Sequence, residues 1–335
     1  MRHCCRHSAR LPLHLRTVLR VRSMAAPSLA EAVLPVAAQL AHPPLAPAKT
    51  RAHRGLASLT LAGFELDAVS VGGQETCVVV PALRLAFDVG RCPQRAVVAS
   101  ALLLSHCHLD HVGGAGAYVA TRSLLCLPLP TVYVPAQCAA PLGRHFDTLR
   151  ELDGSTIPCV IQPVVQGETL PLCDGRFLAR PFVTYHPVPS TGYCVYSRRS
   201  KLLAEFTALP GPAIAALRKA GTTVTRDIEV SEIAFTGDTS ADWITHPSAE
   251  GALNAKLLIV ECTFVDDAVS IAQARAYGHT HLDELIAHAD RFHNEAILLV
   301  HFSARYRRAD IEAALEAKLP PSLKGRVTPL LEGFM

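Results

Sequence analysis

The chain has 335 residues, half of them hydrophobic and 18% charged, which is enough to bury a sizeable core and excludes wholesale disorder. No run of about 18 apolar residues is free of charge or proline, so no membrane-spanning segment is expected; the eleven cysteines never fall as C-x-x-C, which argues for reduced thiols and against a secreted disulfide scaffold. The net charge of +3 is uneven: residues 1–54 hold nine Lys/Arg against Glu31 alone, while 55–335 hold 23 bases against 28 acids, so bulk charge does not make the body a nucleic-acid binder.

Residues 1–30 contain Arg2, Arg6, Arg10, Arg16, Arg20 and Arg22 and no acid. From Leu11 to Val21 the arginines recur among Leu and Val at near-helical spacing. That pattern is the signature of an organelle transit peptide, mitochondrial or chloroplast. If translation starts at Met24 instead, the protein is expected in the cytosol or nucleus. Residues 31–54 carry Pro35, Pro43, Pro44 and Pro47 among alanines and read as a disordered linker. The leader and linker, 1–54, are set apart from one folded domain over 55–335.

Short apolar runs bounded by Gly, Pro and Asp follow. Strands are predicted over Cys77–Val80, Leu83–Phe87, Ala101–Leu104, Thr131–Val134, Phe177–Val183, Tyr193–Tyr196, Ile233–Phe235, Leu257–Val260 and Ile297–Val300. Several are continuous Val/Leu/Ile runs, as strands covered on both faces require. Helices are predicted over His281–Phe292 and Ala309–Leu319, from apolar residues at helical spacing. The pattern is that of a mixed α/β domain with sheets between helices.

The chemistry concentrates in ALLLSHCHLDHVGG, residues 101–114. A buried strand ends at Ser105, and His106, His108, Asp110 and His111 follow. Two histidines two positions apart can converge on one cation from a turn, and an Asp and a His just beyond can reach a second. Imidazole nitrogen and carboxylate oxygen suit Zn²⁺, and a site short of thiolate is catalytic rather than structural. Three further candidates also stand where a predicted strand ends: Asp238 in FTGDTS, His301 in VHFSARY and His186 in TYHPV. Singly, each reads equally as a capping Asp, a satisfied core histidine or a histidine lodged against Pro187.

Together, H-x-H-x-D-H, a later His, a strand-end G-D-T and a final strand-end His resemble the metallo-β-lactamase superfamily. The blocks LRLAFDVGRCP, EIAFTGDTS, LLIVECTFVDD, ARAYGHTH and AILLVHFSARY narrow the resemblance to short-form tRNase Z (ribonuclease Z) of the plant type, over about Phe64 to Phe334. The resemblance implies an αββα sandwich and a zinc-dependent endoribonuclease that removes the 3′ trailer of precursor tRNA, leaving a 3′-hydroxyl. It implies two Zn²⁺ per chain: one on His106, His108 and His186, the other on Asp110, His111 and His301, with Asp238 bridging. It gives Asp110 the proton of the attacking water and His279, supported by Glu261, the protonation of the leaving group, expected to be a ribose oxygen of the trailer. His281 lies two residues on in the same GHTH loop. Asp88 in AFDVG is expected to orient metal-binding histidines.

The resemblance also implies homodimers and an arm that grips the tRNA elbow. LPGPAIAALRKAG (Leu209–Gly221) looks like the arm's Gly-Pro element on a short excursion, with Arg198, Arg199, Lys201, Arg218 and Lys219 as phosphate contacts. Competing readings are another hydrolase of the same fold, a thioesterase or small-molecule phosphodiesterase, and a non-catalytic RNA-binding scaffold. The leader reading has its own test. Residues 1–30 fused to a reporter are expected to carry it into an organelle, and a reporter that stays cytosolic contradicts that reading.

Overall fold

In the computed structural model, which describes residues 55–335, fourteen strands form two seven-stranded sheets. The first holds β1 (Ala57–Leu61), β2 (Phe64–Val71), β3 (Glu75–Val80), β4 (Leu85–Phe87), β5 (Ala101–Leu103), β6 (Thr131–Pro135) and β7 (Val160–Val164), in that order. The second holds β8 (Leu170–Leu172), β9 (Phe177–Phe182), β10 (Gly192–Leu202), β11 (Thr225–Phe235), β12 (Leu257–Glu261), β13 (Ala296–Val300) and β14 (Val327–Pro329), also in chain order. Each sheet begins with three antiparallel pairings and ends with three parallel ones. The two halves thus share one topology, which no sequence period signals. The helices are α1 (Leu109–Val112), α2 (Ala115–Leu124), α3 (Ala136–Asp153), α4 (Gly211–Lys219), α5 (Glu250–Leu253), α6 (Ile271–Ala276), α7 (Leu282–Ala287) and α8 (Arg308–Lys318).

The continuous apolar strands work because alternate side chains enter different cores. Val78, Val80, Leu298 and Val300 meet between the sheets, where Phe87 stacks on Phe235 at 4.9 Å. Cys77 and Val79 point the other way, into a core shared with α2 and α3 through Tyr118, Val119, Leu142 and Phe146. Ile297 and Leu299 point outward from the second sheet, onto Leu282 and Leu285 of α7 and Ile311 and Leu315 of α8. The layers run helix, sheet, sheet, helix, as the αββα expectation requires.

The elements differ from the sequence reading where local pattern is weak. Helix α3 is the longest and was not expected, because Pro141 lies inside it and Gly143 lowers its propensity. The predicted helix His281–Phe292 is shorter: α7 ends at Ala287 and a 3₁₀ turn covers Ala289–Arg291. Leu282, Leu285 and Phe292 are nonetheless buried, so the periodicity located the buried face and not the continuity. β10 and β11 run eleven residues each, well beyond the apolar stretches that predicted them. Their extra length leaves the sheet, and a solvated ribbon has no hydrophobic pattern to read. The transit-like leader and Ala/Pro-rich linker, 1–54, lie outside the described residues. Among those described, no helix is long and apolar enough to cross a membrane.

Candidate metal centre

The carboxyl ends of the parallel strands converge at one edge of the two sheets, the usual place for a site in α/β architecture. β4 delivers Asp88, β5 delivers the 105–111 turn, and β11 delivers Asp238. β12 ends on Glu261 itself, and β13 is followed by His301. His186 enters from the loop after β9, and His279 from the loop before α7. Asp88 and His301 take left-handed backbone angles, φ 52° and 63°, where the chain turns sharply out of its strand. Gly90 makes the close approach possible: a Cβ there would lie 1.8 Å from the Asp110 carbonyl oxygen.

The structure brings all seven expected ligands together in two adjoining sets. His106, His108, His186 and Asp238 can hold one cation, and Asp110, His111 and His301 a second. The His108 Nδ1 lies 3.1 Å from both His106 Nε2 and His186 Nε2. Asp238 Oδ2 is 3.3 Å from His111 Nε2, 3.3 Å from His301 Nε2 and 3.7 Å from His106 Nε2. Asp110 Oδ2 is 3.4 Å from His301 Nε2 and accepts a hydrogen bond from Gly73 N at 2.8 Å. Asp238 is not an exposed helix cap, because its carboxylate is buried among imidazoles.

The donors fit divalent metal ions. His111 Nε2 and Asp238 Oδ1 are buried without a hydrogen-bond partner, a costly state unless a cation faces them. The outward ring nitrogens of His106, His111, His186 and His301 are occupied. His111 Nδ1 donates to Asp88 Oδ2 at 2.8 Å, and His186 Nδ1 donates to Gly278 O at 2.9 Å. His106 Nδ1 lies 3.0 Å from Ser105 Oγ, which donates to Asp88 Oδ2. His301 Nδ1 lies 3.1 Å from Thr263 Oγ1. Each bond fixes a tautomer with a bare Nε2 turned inward, the arrangement that raises ligand basicity. Nitrogen and carboxylate donors without thiolate match catalytic zinc. Asp88 therefore does more than turn the chain: it is fully buried and ties His111 directly and His106 through Ser105.

Glu261 plays the matching part on the other side. It is fully buried, which rules out a solvated strand end. Its Oε1 accepts from Thr239 N at 2.6 Å and from His279 Nδ1 at 3.0 Å. Its Oε2 accepts from Thr280 N at 3.2 Å and from the Thr263 hydroxyl. Burial opposes a charge on His279, but the Glu261 carboxylate beside it raises the imidazole to about 9. His279 also lies within reach of Asp238 and His301, the three forming a further group that could hold a cation. Burial likewise opposes charge on Asp110, yet the hydrogen bond to His301 and the nearby His111 hold its carboxyl below the usual range. His281 serves elsewhere. It caps α7 by accepting from Asp283 N, and its Nε2 faces Asp266 O at 3.0 Å. An open cleft of about 640 Å³, lined by Tyr185, His186, Pro187, Arg275 and Gly278, adjoins the cluster.

Ser105, Thr263 and Gly73 are parts of the site that the sequence reading missed. Ser105 and Thr263 stand beside residues singled out for other reasons, and a single hydroxyl has no spacing to reveal it. The five candidate RNA-contacting bases are not at the cluster. Arg198, Arg199 and Lys201 are exposed on β10, and Arg218 and Lys219 on α4. Arg199 is ion-paired with Glu232.

Asp88→Asn is expected to weaken metal binding by about 10–100-fold, because an amide cannot hold His106 and His111 as a carboxylate does. Asn tolerates the left-handed backbone at this position, so the change acts through the side chain. Competition against a chelator measures it, and unchanged affinity contradicts the orienting role.

Comparison with known proteins agrees with the fold. The family model described as "Beta-lactamase superfamily domain" matches residues 81–302. The metallo-beta-lactamase fold protein YhfI from Bacillus subtilis superimposes with a TM-score of 0.51 at 17% identity, covering 79% of this chain and 95% of that one. The chain is 43% identical over 277 residues to tRNase Z TRZ1 of Arabidopsis thaliana, covering 83% of this chain and 98% of the relative. It is 39% identical over 286 residues to the chloroplastic tRNase Z TRZ2 of the same plant, covering 85% and 80%. With a shared fold, a family model over most of the described body and relatives matched over nearly their whole length, the chain belongs to the tRNase Z (ribonuclease Z) family of the beta-lactamase superfamily.

Proposed function

We propose that this protein is a zinc-dependent endoribonuclease that removes the 3′ trailer from precursor tRNA and leaves a 3′-hydroxyl on the tRNA. The observation that carries the reading is the buried Glu261–His279 pair beside the two-part His/Asp cluster. A plain metal-binding scaffold has no use for a charged histidine aimed at its cluster. The tRNase Z relatives supply the substrate class.

We assign His106, His108 and His186 to one Zn²⁺, Asp110, His111 and His301 to a second, and Asp238 to both. When bound, such a pair polarises water and neutralises charge developing on phosphate oxygens. The chain's own groups handle the protons. Asp110, at the solvent edge of the cluster, accepts the proton of the attacking water. A 3′-hydroxyl product requires the P–O3′ bond to break, so the leaving oxygen belongs to the last tRNA ribose and not, as expected above, to the trailer, which keeps the phosphate. His279 donates its Nε2 proton to that oxygen, while Glu261 holds the ring by Nδ1.

The test is incubation with a 3′-extended precursor tRNA and mapping of the product ends. A single cut after the discriminator nucleotide is expected, with a hydroxyl on the tRNA and a phosphate on the trailer. His279→Ala should lower this rate by about 10²–10⁴-fold, the usual worth of a general acid, with metal content and RNA affinity kept. The penalty should shrink on bis(p-nitrophenyl) phosphate, whose leaving group needs no proton. An equal defect on both substrates contradicts the assignment. His281→Ala should instead cost about 1 kcal/mol of stability through its lost helix cap and spare the chemistry.

A further inference from the structure

The ribbon made by the far ends of β10 and β11 is held at its root by one buried carboxylate. β9 pairs with β10 only as far as Ser197, and β12 pairs with β11 only over Ile233–Phe235. Beyond those points, apart from single backbone bonds of Arg198 N to Arg176 O and Lys256 N to Ser231 O at the root, the two strands pair with each other, out to Leu202↔Thr225, and carry α4 at the tip. At about 3.4 Å per residue, the tip stands about 30 Å from the Asp238 turn. Residues 198–231 hold six Lys/Arg against three acids, on a body whose acids outnumber its bases. A basic outrigger on an acidic body is a counter-surface for a polyanion long enough to reach both.

The register shifts where the ribbon leaves the sheet. Val195 faces Ile233 but Tyr196 faces Ser231, so Glu232 is the bulged residue. A bulge bends and twists its strand, and here it sets the angle at which the ribbon departs. The Glu232 side chain is 2% exposed. It accepts from the Ser197 hydroxyl, pairs with Arg199 on the ribbon, and pairs with Lys256 Nζ at the foot of β12 at 2.9 Å. Burial works against its charge, but hydrogen bonds from Ser197 and Lys256 hold the carboxyl below its usual range. A second tie, Arg180 to Glu229 at 2.6 Å, is solvated on both sides and contributes less. Removing one partner of a buried pair is costly, so the geometry of the bend rests on Glu232.

We infer that Glu232 is the positioning residue of the ribbon, tying Arg199 on the ribbon to Lys256 on the body so that the basic tip meets RNA whose 3′ end lies at the metal centre. The inference rests on the precursor-tRNA reading above. It also revises the role of Arg199, whose guanidinium braces the ribbon and is not a primary phosphate contact.

Glu232→Gln keeps the shape and removes the charge. On 3′-extended precursor tRNA, KM should rise by about tenfold with kcat within about twofold, the sign of lost ground-state binding. Hydrolysis of bis(p-nitrophenyl) phosphate should not change. Lys256→Met should move KM the same way. Arg199→Ala should add little on the Glu232→Gln background, since both cut one tie; a full additional KM penalty means Arg199 grips phosphate itself and overturns its revised role. Amide hydrogen exchange of the full chain without RNA gives a second readout, with protection over 198–202 and 225–231 falling selectively in Glu232→Gln. Unchanged KM and unchanged ribbon protection overturn the inference, as does an equal loss on the small diester. If the wild-type protein hydrolyses the diester but not precursor tRNA, the functional reading fails, and hydrogen exchange still decides the clamp.

Discussion

One carboxylate governs the arrangement of the site. Asp238 Oδ2 sits 3.3 Å from His111 and from His301 and 3.7 Å from His106, buried among rings that come from the ends of β5 and β13, one strand in each sheet. Burying a charge this deeply is unfavourable unless opposite charge faces it. The surrounding imidazoles hold its carboxyl well below the usual range against the effect of burial. The same crowd of inward nitrogens is tolerable only if cations separate them. The two sheets must therefore present their carboxyl ends at one edge and in register. That constraint explains the left-handed exits at Asp88 and His301 and the obligatory glycine at Gly90.

Two more buried carboxylates hold the rings in place, one from each sheet. Asp88 at the end of β4 takes the outward protons of His111 and, through Ser105, of His106. Glu261 at the end of β12 holds His279 and, through Thr263, His301. The outcomes differ because the partners differ. Asp88 leaves bare nitrogens facing the cluster, whereas the Glu261 carboxylate raises the affinity of His279 for its proton.

Much of this was legible in the sequence, for identifiable reasons. Central strands buried on both faces write continuous apolar runs, so β4, β5, β12 and β13 were located to within a residue or two. Ligands at strand ends follow those runs directly, as His106 and His301 do. What escaped is what leaves no run. The ribbon beyond Ser197 has no core to face, α3 carries a proline, and Ser105 and Thr263 act by one hydroxyl each. The bulge at Glu232 is invisible in the chain, because only the cross-strand register defines it. His279 and His281 could not be told apart by spacing alone. The cap on α7 separates them, since His281 is spent on Asp283 N while His279 faces Glu261.

The claim on which all of this depends is that Asp238 serves two cations at once. Elemental analysis of the fully active protein tests it most directly. Two Zn²⁺ per chain are predicted, and one metal ion per chain in protein of full activity would contradict the account.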